Sequence, residues 1–112
     1  MAELKTPLHP GETVVKEGRA NLQRGAESVG GKLALTERRL IFESHEFNVQ
    51  SGPDEIPLGE IVGVEKVWTK FLGVLPLAPN SLAVRTREGA EHRLVLSGRG
   101  AWREAIESQR SS

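Results

Sequence analysis

The chain has no cysteine. Disulfides, thiolate nucleophiles and cysteine-ligated metals are excluded, and cysteine usage gives no reading of redox compartment. Neither sign of charge is in excess, with fifteen Lys and Arg against fifteen Asp and Glu. A nucleic-acid binder carries a basic excess as a rule, so nucleic acid is not the expected partner, although a local basic patch stays open. No apolar run approaches the roughly 20 residues that a membrane-spanning helix needs. Residues 1–12 hold no apolar signal core and no Arg- and Ser-rich transit character. The expectation is a soluble cytoplasmic protein, at most peripheral at a membrane. Metal-ligand spacing is missing too, since His9, His45 and His92 form no such pair. Ser28, Ser44 and Ser81 stand in no nucleophile elbow. Gly30-Gly31 precedes a strand and has no Lys-Ser/Thr successor, which removes a phosphate loop and leaves strand twist or close packing. No catalytic residue, cofactor or metal is expected.

What is present is alternation. At 112 residues the chain reads as one domain. A domain of this size buries about two-thirds of its unfolded surface, enough for a core without staples. Within residues 30–42, Leu33 and Leu35 alternate with small or polar residues, and Leu40 and Phe42 repeat the pattern. This is a hairpin with one buried face. Parity sets Leu35 opposite Leu40 and Leu33 opposite Phe42, because a slip of one residue would turn the apolar set to water. The same argument applies to Leu82 and Val84 against Leu94 and Leu96. An odd connection through Arg87-Glu88-Gly89 puts Leu82 opposite Leu94 and Arg85 opposite Glu91, with Gly89 supplying a left-handed turn position.

The remaining elements are less sharply marked. Residues 1–11 read as a loose lead-in to a single domain over 12–112. A first strand spans 12–24, with a bulge or bend expected at Gly18. Phe47 and Val49 extend the third strand. Pro57 between Ile56 and Leu58 marks an edge strand or a bulge. A fifth strand over 61–68 needs a bulge, because Ile61 and Val62 break the alternation. Residues 71–79, with Pro76 and Pro79, read as an apolar loop. After Ser97 the period changes to that of a helix, with Trp102, Ala105, Ile106 and Gln109 on one face and Ser97 as the available cap. The sum is an all-β fold of about seven antiparallel strands, a partly open barrel whose end the C-terminal helix closes with Trp102.

Residues 12–106 are similar to a GRAM domain, of the pleckstrin-homology-like superfamily. The resemblance rests on Gly11-Glu12, Gly31-x-Leu33-x-Leu35-Thr36-x-x-Arg39-Leu40-Ile41-Phe42, Ile56-Pro57-Leu58-x-x-Ile61, Asn80-Ser81-Leu82, the Gly89 turn, and Trp102 with Ile106. It implies the pleckstrin-homology-like fold, two nearly orthogonal antiparallel sheets capped by a helix. It also implies an intracellular, non-enzymatic module that binds lipids or proteins. Lipid-binding pleckstrin homology domains place Lys-x(n)-Lys/Arg-x-Arg across the first hairpin. Here Lys32 is followed by Leu33 and Ala34, so that pattern is absent.

Two candidate binding surfaces follow. Lys16, Arg19, Arg24 and Lys32, with Arg38 and Arg39 in the next turn, are a candidate cluster for anionic headgroups, against ordinary solvated strand faces. Phe71, Leu72 and Leu75, with Trp68 and Lys70 at their base, form an apolar string. It either folds back to close the barrel or presents a tip to a membrane or protein. Association with a membrane lipid surface or a protein partner is the leading function. A self-associating scaffold or homo-oligomer formed through an open strand edge is the alternative. A small hydrolase built on His45 and Glu43 is the rival from another class, and it lacks a converging set of polar groups.

Overall fold

The computed structural model describes residues 4–24, 27–45, 54–71 and 75–111, with side chains described for all of these except 24, 27, 68–71 and 75–80. The strands are β1 (Val14–Arg24), β2 (Glu27–Thr36), β3 (Arg39–Ser44), β4 (Asp54–Pro57), β5 (Ile61–Phe71), β6 (Leu75–Thr86) and β7 (Glu91–Leu96), followed by α1 (Arg99–Arg110). They form one antiparallel seven-stranded sheet in the order β4-β3-β2-β1-β7-β6-β5. Both hairpin registers fall where parity puts them. Leu33 faces Phe42 and Leu35 faces Leu40, while Leu82 faces Leu94 and Arg85 faces Glu91. Gly89 turns the second hairpin at φ 87°, a backbone conformation that side chains resist.

The inward rows meet in one core that includes Leu22, Leu33, Leu35, Leu40, Phe42, Val64, Leu82, Val84 and Leu94. From α1, Trp102 and Ile106 enter it fully buried, with Ala105 packed beside them. The helix cap differs from expectation. Gly98, with φ 68°, takes the position before the helix, and no side chain, Ser97 included, caps the first turn. Gly18 also behaves differently. It stays in register opposite Leu33, and the bulge of β1 sits at Val15 instead. A Cβ added at Gly18 would lie 3.5 Å from Trp102 Cζ2, an ordinary van der Waals contact, so the strand and the Trp102 ring pack directly against each other there.

The expected irregularity of β5 is a bulge at Val62, where the register shifts between Ile61 and Gly63. It turns Val62 to solvent and lets Ile61 and Val64 both face inward. Of the apolar segment read as a loop, residue 71 and residues 75–79 are strand instead, and residues 72–74 lie outside the described residues. β5 and β6 stay paired out to Phe71 opposite Leu75, and two further register shifts beside Ala78 absorb the prolines. Phe47 and Val49 lie outside the described residues. The sheet's two edges are treated differently. β4 is short and carries Pro57. β5 is long, and α1 lies against it: Arg103 Nε donates to the Val64 carbonyl at 3.0 Å and Arg99 Nη1 to that of Val67 at 2.8 Å.

Residues 4–12 are tied across the outer face of β2 and β3. The main-chain N–H groups of Lys5 and Thr6 and the Thr6 hydroxyl donate to the buried Glu43 carboxylate. Arg39 Nη2 donates to the Pro7 carbonyl at 3.0 Å. A strap fixed at Glu43 and at Arg39 passes over Ile41, which stands between them on the same face and is fully buried outside the main core.

Candidate functional site

Alternation that sends Leu33 and Leu35 inward sends Lys32 outward, and the same parity sends Arg19 and Asn21 outward from β1. Arg19 lies directly opposite Lys32 in the β1–β2 ladder. β1 also pairs with β7, Ala20 facing Leu96, which carries the start of α1 to the same seam. The result is an open concavity of about 640 Å³. Its polar wall comes from Arg19 and Asn21 of β1, His45 after β3, Ser97, and Arg99 at the head of α1. Among the described residues no carboxylate lines it, and its charged lining side chains are the two arginines.

The paired glycines shape one side of it. A Cβ on Gly31 would collide with the main-chain carbonyl of Glu43, so β2 and β3 approach this closely only with glycine there. A Cβ on Gly30 would stand 3.0 Å from Asn21 Oδ1 and 3.2 Å from the His45 ring. Close packing is therefore the account of Gly30-Gly31.

The donors are differently engaged. Arg19 is exposed and has no hydrogen-bond or ion-pair partner among the described residues. Arg99 is half-buried and spends one N–H on Val67, leaving the rest of its fork available. The Lys32 ammonium is buried and has no hydrogen-bond partner among the described residues. The first turn of α1 is uncapped by any side chain. Its orphan N–H groups, together with the helix dipole, give that end partial positive charge.

Of the basic residues singled out from the sequence, Arg19 alone lines it among the described residues; Lys32 stands opposite Arg19 in the ladder, outside the lining. Lys16 lies elsewhere, its Nζ 5.1 Å from the centroid of the Trp102 ring. Arg38 is exposed, donating to the Pro10 carbonyl at 3.4 Å. Arg39 is inaccessible, because Glu12 and Glu55 hold its guanidinium. The side chains of Arg24, Trp68, Lys70, Phe71 and Leu75, and all of Leu72, lie outside the described residues. Arg99 and Asn21 were not identified from the sequence. Asn21 shares the outward face of β1 with Arg19, and Arg99 reaches them through the pairing of β1 with β7, a contact that no hairpin pattern reports.

His45 and Glu43 do not make an acid–base pair. Glu43 is buried and accepts three hydrogen bonds from the strap. Among the described residues no group of His, Asp and Glu has a metal-binding arrangement. The clearest charge perturbation lies at the strap. Hydrogen bonding to Arg39 holds the Glu12 carboxyl at about 2, well below its ordinary 4.5, against the opposing effect of its burial. The same contact raises the pKa of Arg39.

A family model described as the GRAM domain matches residues 2–93. It takes in the strap and stops short of α1. No curated protein matches the chain. Among solved structures, the C-terminal domain of an unknown protein from Leishmania infantum superposes with a TM-score of 0.72 at 22% identity, over 92% of this chain and 88% of that one. The Vps36 N-terminal PH domain gives 0.69 at 18% identity, over 94% and 83%. The Slm1 PH domain, in complex with phosphoserine, gives 0.66 at 13% identity, over 88% and 97%. These likenesses establish the fold as pleckstrin-homology-like.

Proposed function

The chain belongs to the GRAM domain family, and on that premise we propose that it is a non-enzymatic binding module that docks on anionic membrane lipid through the Arg19–Arg99 concavity. The observation that carries this reading is the lining itself: two arginines, a histidine and an uncapped helix start, with no carboxylate among the described residues that line it. Arginine forks and helix N-termini are both suited to anionic oxygen. The Slm1 PH domain, similar in fold, has been captured with phosphoserine, an anionic phosphate group. GRAM and pleckstrin-homology-like domains are typically binding modules, and no helix among the described residues is long and apolar enough to cross a membrane. Docking is therefore peripheral.

Vesicle flotation tests this. Vesicles of phosphatidylcholine alone are compared with vesicles that also carry phosphatidylserine or phosphoinositides. Flotation with the anionic vesicles should weaken as salt rises, because exposed charges are screened over about 8 Å at physiological ionic strength. Arg19→Glu should reduce it without lowering the melting temperature. Equal flotation with neutral and anionic vesicles at low salt would remove the reading. A partner that binds through this face in the absence of vesicles would replace the membrane with a protein.

A further inference from the structure

We infer that residues 4–6 of the strap are a detachable lid, and that Lys32 is the stand-by partner that takes Glu43 when the lid lifts. The ground is one carboxylate with two claimants. Lys32 and Glu43 stand directly opposite each other in the β2–β3 ladder, both on the outward face. Side chains so placed have Cβ atoms about 5 Å apart, and opposite charges there attract. Here they form no hydrogen bond. Glu43 is buried and accepts from the Lys5 and Thr6 N–H groups and from the Thr6 hydroxyl. The Lys32 ammonium is buried too, with no hydrogen-bond partner among the described residues. Its cross-strand neighbour on the other side is Arg19, a like charge. A buried cation without a partner is costly, and the carboxylate across from it is the one that the strap occupies.

The strap is held unequally along its length. Its far end is clamped, because Arg39 binds the Glu12 carboxylate with two hydrogen bonds and the Pro7 carbonyl with a third. Its near end, Lys5 and Thr6, is held by Glu43. Lifting that end takes three donors from Glu43, and Lys32 replaces them from the facing strand. The carboxylate is then not left unpaired, and the ammonium gains the partner it lacks. Opening of the near end without unfolding of the sheet follows from this exchange of partners. What it bares is the Glu43 end of the face that the strap crosses. Ile41 and Ala34 face each other there in the ladder, fully buried although neither belongs to the main core. The lid thus governs access to an apolar pair on the outer side of the first hairpin.

Amide hydrogen exchange on the full chain, followed by NMR, tests this at Lys5 and Thr6, whose N–H groups close on Glu43. In the parent both should exchange by local opening, faster than the paired amides of β2 and β3 and without dependence on low denaturant. Lys32→Met removes the stand-by partner, so lifting leaves Glu43 unpaired, and exchange at both amides should slow ~10-fold or more. Lys32→Arg keeps a cationic donor and should exchange close to the parent rate. Equal slowing in the two variants would assign the effect to packing and overturn the exchange of partners. Unchanged or faster exchange in Lys32→Met overturns the inference, because Lys32 would then support the closed strap. Failure of Lys32→Met to fold overturns it as well, since the closed arrangement gives that ammonium no hydrogen bond to lose. Thr6→Val weakens the lid from the other side: exchange at Lys5 should rise ~5-fold or more, and adding Lys32→Met should lower it again. A double variant that exchanges as fast as Thr6→Val alone would show that Lys32 takes no part in opening.

Discussion

Arg39 grips Glu12 with two parallel hydrogen bonds, Nε to Oε2 and Nη2 to Oε1, each 2.9 Å long. Arg39 is almost fully buried and Glu12 has no exposed side-chain surface. The same guanidinium reaches Glu55 on β4 and the Pro7 carbonyl, and Glu12 also accepts from the Thr36 hydroxyl at 2.7 Å. One arginine thus ties the strap, the first hairpin and the edge strand together. Removing one partner of such a pair leaves an uncompensated buried charge, so Arg39→Ala should destabilise the domain by about 3–5 kcal/mol. Denaturant unfolding measures this, and a midpoint near that of the parent chain would show that the pair is not buried as described.

Acid should release the same network. The Glu12 carboxyl is depressed from 4.5 to about 2 by its bonds to Arg39. Its contribution is fully present above the unfolded value and is lost as the pH falls through the folded one. The stabilisation, on the order of 3 kcal/mol, should therefore disappear between about pH 4.5 and 2. Glu12→Gln removes this titration, so the stability of that variant should fall less steeply over the same interval. Parallel acid limbs for the two proteins would assign the acid sensitivity to other carboxylates.

The first hairpin carries the core that α1 closes. Leu35 is fully buried and Phe42 is 3% exposed. Truncating either leaves a cavity against rigid neighbours, so Leu35→Ala and Phe42→Ala should each cost about 2–5 kcal/mol. Wild-type denaturation midpoints for both would mean that the inward face has been assigned to the wrong residues.

The two adjacent glycines should respond differently to a methyl group. At Gly31 it meets the Glu43 main chain, which cannot yield without moving β3. At Gly30 it meets the side chains of Asn21 and His45, which can turn away. Gly31→Ala should cost about 1–3 kcal/mol, as overpacking does, and Gly30→Ala less. Gly30→Ala should instead weaken anion binding, because it alters the wall of the concavity. Equal thermal shifts in the two variants would contradict the contrast in packing.

Local pattern reached as far as local pairing does. Leu33 opposite Phe42 and Leu82 opposite Leu94 follow from parity within a hairpin, where a one-residue slip exposes the whole apolar row. The helix face followed from Trp102 and Ile106 for the same kind of reason. The concavity between β1, β7 and the start of α1 did not follow. It needs Ala20 of β1 beside Leu96 of β7, a contact between the first and last strands. Arg39 shows the other limit. In sequence it is one more basic residue after a turn, and nothing near it marks the buried Glu12 that occupies it. The strap escaped notice because main-chain N–H groups, which carry no sequence signal, donate to Glu43.

The β5–β6 hairpin extends past the body of the sheet. Pairing of β6 with β7 ends at Ser81 opposite Val95, whereas its pairing with β5 continues to Leu75 opposite Phe71. Among the described residues, the outer part of this hairpin is paired strand to strand only. Its composition is apolar, with Phe71, Leu72, Val74, Leu75 and Leu77 and no charge between Lys70 and Arg85. A two-stranded ribbon contributes little to the stability of a sheet, and an exposed apolar patch tends to mark a contact surface. If this end is the membrane contact, the double variant Leu72→Ser with Leu75→Ser should keep its melting temperature and lose vesicle flotation. A loss of about 2 kcal/mol or more in stability would instead identify these leucines as a lid over the core. A stable variant that floats as the parent does would remove the segment from both roles.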